Sequence, residues 1–419
     1  MSFDRVGIHP AAILLPAQNV SRETWACEAC DQYTSEPEYW RRADRLVKNA
    51  PSALRLILPE CDLQKSDILI PRIHQTMERY LREGLLETAV ENGFVLCERT
   101  VASGTRVGLV ATVDLEQYSY EKGSLSLIRP TEQTIASRLP ARLAIRRDAP
   151  VELTHIMILI DDPDHLVLEP LRNRKHQLRK LYDFDLMLGG GHLAGYAVES
   201  PEDLADVDRS LNALLDSKGE NPLFLAVGDG NHSLATAKAA WEEIKQTLSP
   251  AEQLSHPARF ALAEIVNIHD PALLFEPIHR ILTGTDRMAL TADWKNYAEA
   301  RGMTLEVGKE GHTFTLVSVT GEETVSVGHP EGAIPCETVQ KFLDHFLQDH
   351  PEVEIDYIHG EKSLRALASE PETVGFLLPE ISKASFFEDV EKLGVLPRKT
   401  FSMGEADEKR FYMEAKIIK

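Results

Sequence analysis

The stretch Phe224–Ile244, FLAVGDGNHSLATAKAAWEEI, decides the fold class. Leu223 to Val227 is a short continuous apolar run, the pattern of a strand covered on both faces. The run stops at Gly228-Asp229-Gly230, and Leu234, Ala237, Trp241, Ile244 and Leu248 then recur three or four residues apart, on one face of a helix. Strand, tight turn and helix in succession are the unit of an α/β fold. Gly228 and Gly230 permit positive φ and let the backbone come close to a ligand. The helix start that follows offers backbone N–H groups and the positive end of the dipole, a ready anion seat. Asn231 or Ser233 would serve as the N-cap, and His232 would project at the mouth of the seat. An ordinary capped turn accounts for the same residues. Neither G-x-x-x-x-G-K-[ST] nor G-x-G-x-x-G occurs here, so the standard nucleotide fingerprints are absent from the turn.

Strand and helix signals alternate before this turn. PRIHQTMERYLREGLLETAVEN, residues 71 to 92, places Ile73, Met77, Tyr80, Leu81, Leu85 and Val90 near one helical face. FVLCERTV and RVGLVATVDL read as strands around a Gly turn, and Arg138 to Arg147 reads as a helix. LTHIMILI, Leu153 to Ile160, reads as a buried strand, Leu171 to Leu186 as a helix, HLAGYAV as a strand, and Asp203 to Asp216 as a helix. After FEPIHRIL the character shifts. A helix near Asp293 to Ala300 and the runs GMTLEVG, HTFTLVSV and ETVSVG suggest helix and antiparallel strands; CETVQKFLDHFL, EIDYIHG and TVGFLLP suggest a helix and two more strands. The expected class is α/β (α+β) with mixed sheets, divided into a main domain over residues 1–285 and a smaller C-terminal α+β domain over 286–419.

The 419 residues are more than one hydrophobic core usually serves. A formal charge of −21 disfavours a phosphate backbone as partner, so no nucleic-acid role is expected. No apolar stretch approaches the roughly 20 residues that span a bilayer, so no membrane role is expected. The opening segment MSFDRVGIHPAAILLPAQ lacks the pattern of a secretion signal, which makes the cytoplasm the default. The basic stretch RNRKHQLRK, Arg172 to Lys180, reads as a solvated helix, with an anion-binding surface as the alternative. Cys27, Cys30, Cys61, Cys97 and Cys336 are an odd number, expected to be reduced. The lone C-x-x-C at Cys27 and Cys30 has no second ligand pair for zinc.

GDGNHSLATA resembles the DGHHR-x-x-x-A element of the bacterial family known as domain of unknown function 1015. Other stretches resemble that family in order: ACDQYTSEPEYW, Ala29 to Trp40; RVGLVATVDLEQYSYEKGSLSLIRPTEQT; FEPIHRIL; DYIHG; and LPRKTFSMGEADEKRFYMEAKII. The resemblance spans nearly the whole chain. It implies a phosphate-binding element similar to that of the ParB/sulfiredoxin fold, which also includes ADP- or ATP-dependent kinases acting on free serine. Asp229, Gly230 and His232 match the element, while Asn231 replaces its first His and Ser233 its Arg. Thr131 stands where the family has His, and Glu132 and Thr134 remain. A serine hydroxyl cannot clamp phosphate as a guanidinium does, so an arginine from elsewhere, Arg138, Arg142 or Arg280, would be needed.

The resemblance implies a small-molecule phosphotransferase using Mg2+ with ADP or ATP. Asp229 would hold the metal, Glu132 would orient or deprotonate the acceptor hydroxyl, and His232 would act at the phosphate. Gly228, Gly230, Asn231 and Ser233 would line the phosphate, with His279 and Arg280 facing the same cleft. A non-catalytic protein binding a phosphometabolite or nucleotide is the alternative from another class. A metal-dependent hydrolase using His279 and Asp270 is the third. A small-molecule substrate is the expected partner, and a homo-oligomer stays open.

Overall fold

The computed structural model describes residues 2–34, 36–133, 139–307, 310–397 and 399–419. The chain divides into two compact units, Met1–Leu274 with Gly404–Lys419, and Phe275–Met403. Among the described residues no helix is long and apolar enough to cross a membrane. The five cysteines are free thiols.

The first unit is built on a mixed sheet of twelve strands among the described residues. Its main run is Ile128–Pro130, Leu225–Asp229, Met157–Ile160, Phe260–Asn267, Gly104–Asp114, Leu86–Val101, Ala11–Pro16, Ala415–Ile417 and Val151–Leu153. Leu225–Asp229 runs parallel to Ile128–Pro130, and Phe260–Asn267 parallel to Met157–Ile160; the other pairings are antiparallel. The long Leu86–Val101 strand serves two neighbourhoods in turn: its first half pairs with Ala11–Pro16, its second with Gly104–Asp114 and with His192–Val198. Successive strand residues point to opposite faces. Val95 and Cys97 accordingly join one apolar cluster with Trp25 and Trp40, while Phe94 and Leu96 join another with Phe224 and Trp241. Two covered faces are why these strands read as unbroken apolar runs.

Three expected elements differ. The helix read over residues 71 to 92 runs Ser66–Arg82 and stops before Gly84, whose φ of 65° ends it; Val90 belongs to the following strand. The helix read over Leu171–Leu186 is a short turn at Glu169–Asn173 and then a strand, Arg179–Asp185, paired with His192–Val198. Buried Tyr182 and Phe184 alternate there with exposed Asp183 and Asp185, a period of two. The basic stretch within it is engaged in ion pairs: Lys175 with Glu98, and Arg174 with Asp203 and Asp206, both at 2.9 Å. LTHIMILI splits into Val151–Leu153 and Met157–Ile160, because Thr154 Oγ1 accepts from Ile156 N at 3.1 Å and turns His155 out of the ladder.

The second unit is an antiparallel sheet in the order Thr304–Val307, Gly321–Gly328, His312–Ser318, Thr373–Leu377, Phe275–Thr283 and Glu354–His359, with Phe401–Met403 also on Phe275–Thr283. Helices Arg287–Ala300 and Pro335–Asp349 cover it, Trp294 stacking on Phe314 at 4.7 Å and on Phe342 at 4.1 Å. The division differs from the expected one at 285. It falls at Leu274, and residues 404–419 return to the first unit. Ala415 pairs with Leu14 and Leu153, and Arg410 is buried between Glu264 at 2.8 Å and Glu414 at 2.6 Å. Once 404–419 supplies a strand and a buried cation to the first sheet, it cannot be part of a separate C-terminal domain.

Candidate functional site

The turn is assembled as strand, bulge and helix. Val227 pairs with Ile158 and Asp229 with Met157, so Gly228 is the extra residue of a bulge inside the strand, where glycine relieves the crowding. Gly230 takes φ 78° and is itself the N-cap of the Asn231–Lys245 helix. A Cβ there would lie 3.1 Å from the Ile156 Cα. Gly230→Ala is therefore expected to cost about 1–2 kcal/mol, the left-handed penalty, measured as a lower urea midpoint than a Gly219→Ala control in open space. Intrahelical bonding begins with Leu234 N donating to Gly230 O at 3.0 Å, which leaves the amides of Asn231, His232 and Ser233 at the head of the helix.

Neither Asn231 nor Ser233 is the cap. The Asn231 Oδ1 accepts from Thr131 N at 3.3 Å and its Nδ2 donates to Thr131 Oγ1 at 3.4 Å; Thr131 Oγ1 donates to Val227 O at 2.7 Å. Asn231 thus ties together the C-terminal ends of two parallel strands, the edge at which open α/β sheets place ligands. Glu132, half-buried, follows Thr131 directly, so Glu132, Asp229 and His232 come to one edge of the sheet. The Asp229 Oδ1 accepts from Gly230 N at 3.0 Å, and its Oδ2 lies 3.7 Å from the buried Lys409 ammonium.

Ser233 opens a second set of contacts that the sequence did not announce. Its Oγ is 3.2 Å from His155 Nε2, and His155 Nδ1 is 2.7 Å from the Tyr412 hydroxyl, which donates to Cys30 Sγ at 3.1 Å. Asp31 approaches His155 Nε2 at 3.7 Å. Burial alone would raise the Asp31 pKa, but His155, Gln32, Lys409 and Arg142 hold it below its ordinary value. Burial pushes the Cys30 thiol up to about 12, and burial followed by Cys30 raises the Tyr412 phenol. Asp31 is thus a carboxylate, Cys30 a thiol and Tyr412 a phenol, all beside the His155 ring. Beside it lies a cavity of about 130 Å³, its wall mostly apolar, including Leu58, Met77 and Ile145, with Ser233, His155 and Tyr412 on the polar side.

Arg142 lines the same cavity and is ion-paired to Glu60. Arg138 and Thr134 lie outside the described residues. His279 and Arg280 belong to the second unit and are used inside it: His279 Nδ1 accepts from Leu378 N at 3.1 Å, and Arg280 Nε donates to Gln340 Oε1 at 3.1 Å. Asp270, in the first unit, accepts from Val107 N at 2.9 Å and Ala272 N at 2.8 Å. Among the described residues no group of three His, Cys, Asp or Glu side chains could hold a metal, so the hydrolase reading finds no assembled ligand set. Cys30, Asp31, His155, Lys409 and Tyr412 were missed as site residues. His155 had a signal, a polar residue inside an apolar run; Lys409 and Tyr412 had only their place in the family-like terminal stretch, and no spacing that pointed to this site.

The family model described as "Protein of unknown function (DUF1015)" matches residues 8–346. Solved structures similar to this chain include a free serine kinase in complex with AMP, at 13% identity and TM-score 0.39, covering 73% of this chain and 90% of that one. SbnI with a C-terminal truncation from Staphylococcus aureus is similar at 10% identity and TM-score 0.37, covering 70% and 82%. A conserved hypothetical protein from Pyrococcus furiosus is similar at 12% identity and TM-score 0.35, covering 73% and 90%. Likeness at these scores carries no argument about activity. No curated protein matches the sequence.

Proposed function

This chain belongs to the DUF1015 family, and from that premise we propose that its first unit is a small-molecule phosphotransferase of the nucleotide-dependent free-serine-kinase kind. The observation that supports this reading most is the joining, by Asn231 and Thr131, of a glycine-capped helix head to the strand end that carries Glu132. Phosphoryl transfer asks a protein mainly for positioning and charge neutralisation. The amides of Asn231, His232 and Ser233, reached past Gly228 and Gly230, would receive phosphoryl oxygens of ADP or ATP, with His232 and Lys409 beside them. Glu132 would accept the proton of the attacking hydroxyl.

Asp229 would hold a magnesium ion through Oδ2, which has no hydrogen-bond partner, and the ion would share that oxygen with the Lys409 ammonium 3.7 Å away. One carboxylate suits an ion that arrives already bound to phosphates. When bound, magnesium would neutralise charge on the transferring group.

Titration calorimetry with ATP and ADP plus magnesium is expected to show binding to the wild type. Asp229→Ala and His232→Ala should each weaken it about tenfold or more, the scale of one hydrogen bond to a charged group. Absence of heat with both nucleotides, or unchanged affinity in both variants, removes the reading. The pairing of Arg142 with Glu60 favours a second one, a phosphometabolite-binding protein without turnover. A product assay with serine and phosphoserine separates the two: binding without product supports the second.

A further inference from the structure

The contacts of Ser233 go beyond a role in holding phosphate. A serine becomes a nucleophile when a base lies within hydrogen-bond reach and a third group orients that base. Ser233 Oγ and His155 Nε2 are 3.2 Å apart, and Tyr412 holds the other ring nitrogen at 2.7 Å. Tyr412 bridges Cys30 Sγ at 3.1 Å and His155 Nδ1 at 2.7 Å. A base at Nε2 requires the tautomer in which Nδ1–H donates to the Tyr412 oxygen, so that Nε2 accepts from the Ser233 hydroxyl. Ionised Asp31, 3.7 Å from Nε2, favours the imidazolium that proton transfer creates. His155 is 4% exposed and Tyr412 3%, so the ring is fixed by packing as well as by hydrogen bonds. The cavity beside them gives a small molecule access to Ser233, and its two arginines are already matched, Arg142 with Glu60 and Arg146 with Glu152 at 2.6 Å.

We infer that Ser233 is a covalent relay: it takes the phosphoryl group from a nucleoside triphosphate and hands it to a small alcohol with an apolar body held in the cavity. This rests on the phosphotransferase reading above. In the first half-reaction Ser233 Oγ bonds to the γ-phosphorus, the bond from phosphorus to the nucleoside diphosphate oxygen breaks with its electron pair leaving on the diphosphate, and the serine proton passes to His155 Nε2. In the second the acceptor hydroxyl attacks the phosphoserine, its proton goes to solvent, and His155 returns its proton to Oγ as that bond breaks. The sum is triphosphate plus alcohol to diphosphate plus phosphate ester and one proton. Apolar walls and paired arginines suit a neutral acceptor rather than a zwitterion, so the relay keeps the nucleotide-dependent transfer proposed above and departs from it in the acceptor, which is not free serine.

A relay predicts exchange without acceptor. Full-length protein with magnesium, ATP and labelled ADP alone should move label into ATP, and mass spectrometry should find one phosphoryl group on the peptide holding Ser233. Ser233→Ala should abolish both, and His155→Gln should slow exchange about 100-fold, the scale of general-base loss, while each variant still binds ATP in calorimetry, which shows that it is folded. If the wild type binds ATP but shows neither exchange nor label, or if exchange persists in Ser233→Ala, the relay is wrong and direct transfer stands. If ATP does not bind at all, both the relay and the phosphotransferase reading fall.

Discussion

Replacing Arg410 by methionine is expected to destabilise the first unit by about 3–5 kcal/mol, the cost of removing one partner from a buried ion cluster. Arg410 is buried, its Nε 2.8 Å from Glu264 and a terminal nitrogen 2.6 Å from Glu414, which is fully buried and also accepts from the Tyr182 hydroxyl. Burial alone would raise the Glu264 pKa, but Arg106 and Arg410 hold it below its usual value, so this carboxylate stays charged inside the core. Methionine fills the volume and strands that charge. The effect is read as lost hydrogen-exchange protection of the Phe260–Asn267 amides in urea. Arg147→Met is the comparison, because its pair with Glu243 is solvent-exposed and should cost under about 1 kcal/mol. Equal losses in the two variants would show that burial of the cluster is irrelevant.

The second unit carries its own large effect, in pH. His279 is 1% exposed and its pKa is lowered to about 4, first by burial, with Arg280 adding to the depression and Glu361 opposing it. Its neutral Nδ1 accepts the Leu378 amide. The unfolded chain protonates this ring near 6.5, whereas the folded chain resists until about 4. Stability from the neutral ring is therefore complete above pH 6.5 and lost as pH falls towards 4, by about 3 kcal/mol in all. Protection of the Thr373–Leu377 amides should fall over that window in the wild type. In His279→Gln most of the fall should vanish; an identical pH profile in the variant would assign it to other groups.

Much of the fold was legible because periodicity reports burial. His192–Val198 and the helix after Gly230 follow their apolar spacing, and the hairpin around Gly104 follows from two apolar runs and a glycine. What failed was local ambiguity. Leu171, Leu178 and Leu181 fit a helical spacing, and only pairing with His192–Val198 made Tyr182 and Phe184 a strand pair. The candidate site was half legible. Strand pairing brings Glu132, Asp229 and His232 to one edge, but His155 is brought to Ser233 by a break in a strand, and Lys409 and Tyr412 by a segment nearly 180 positions away. Such partners leave no mark in spacing, since the sheet alone decides who meets whom.

Because residues 404–419 complete the first sheet, the ribosome must translate the whole of the inserted unit before Arg410, Lys409 and Tyr412 emerge. Until then a nascent chain would hold Glu264 with Arg106 but without Arg410, and His155 without its tyrosine. The surroundings of His155 are thereby completed only after the insert has been made, and termination anywhere in the insert yields a chain that lacks the tyrosine beside that ring.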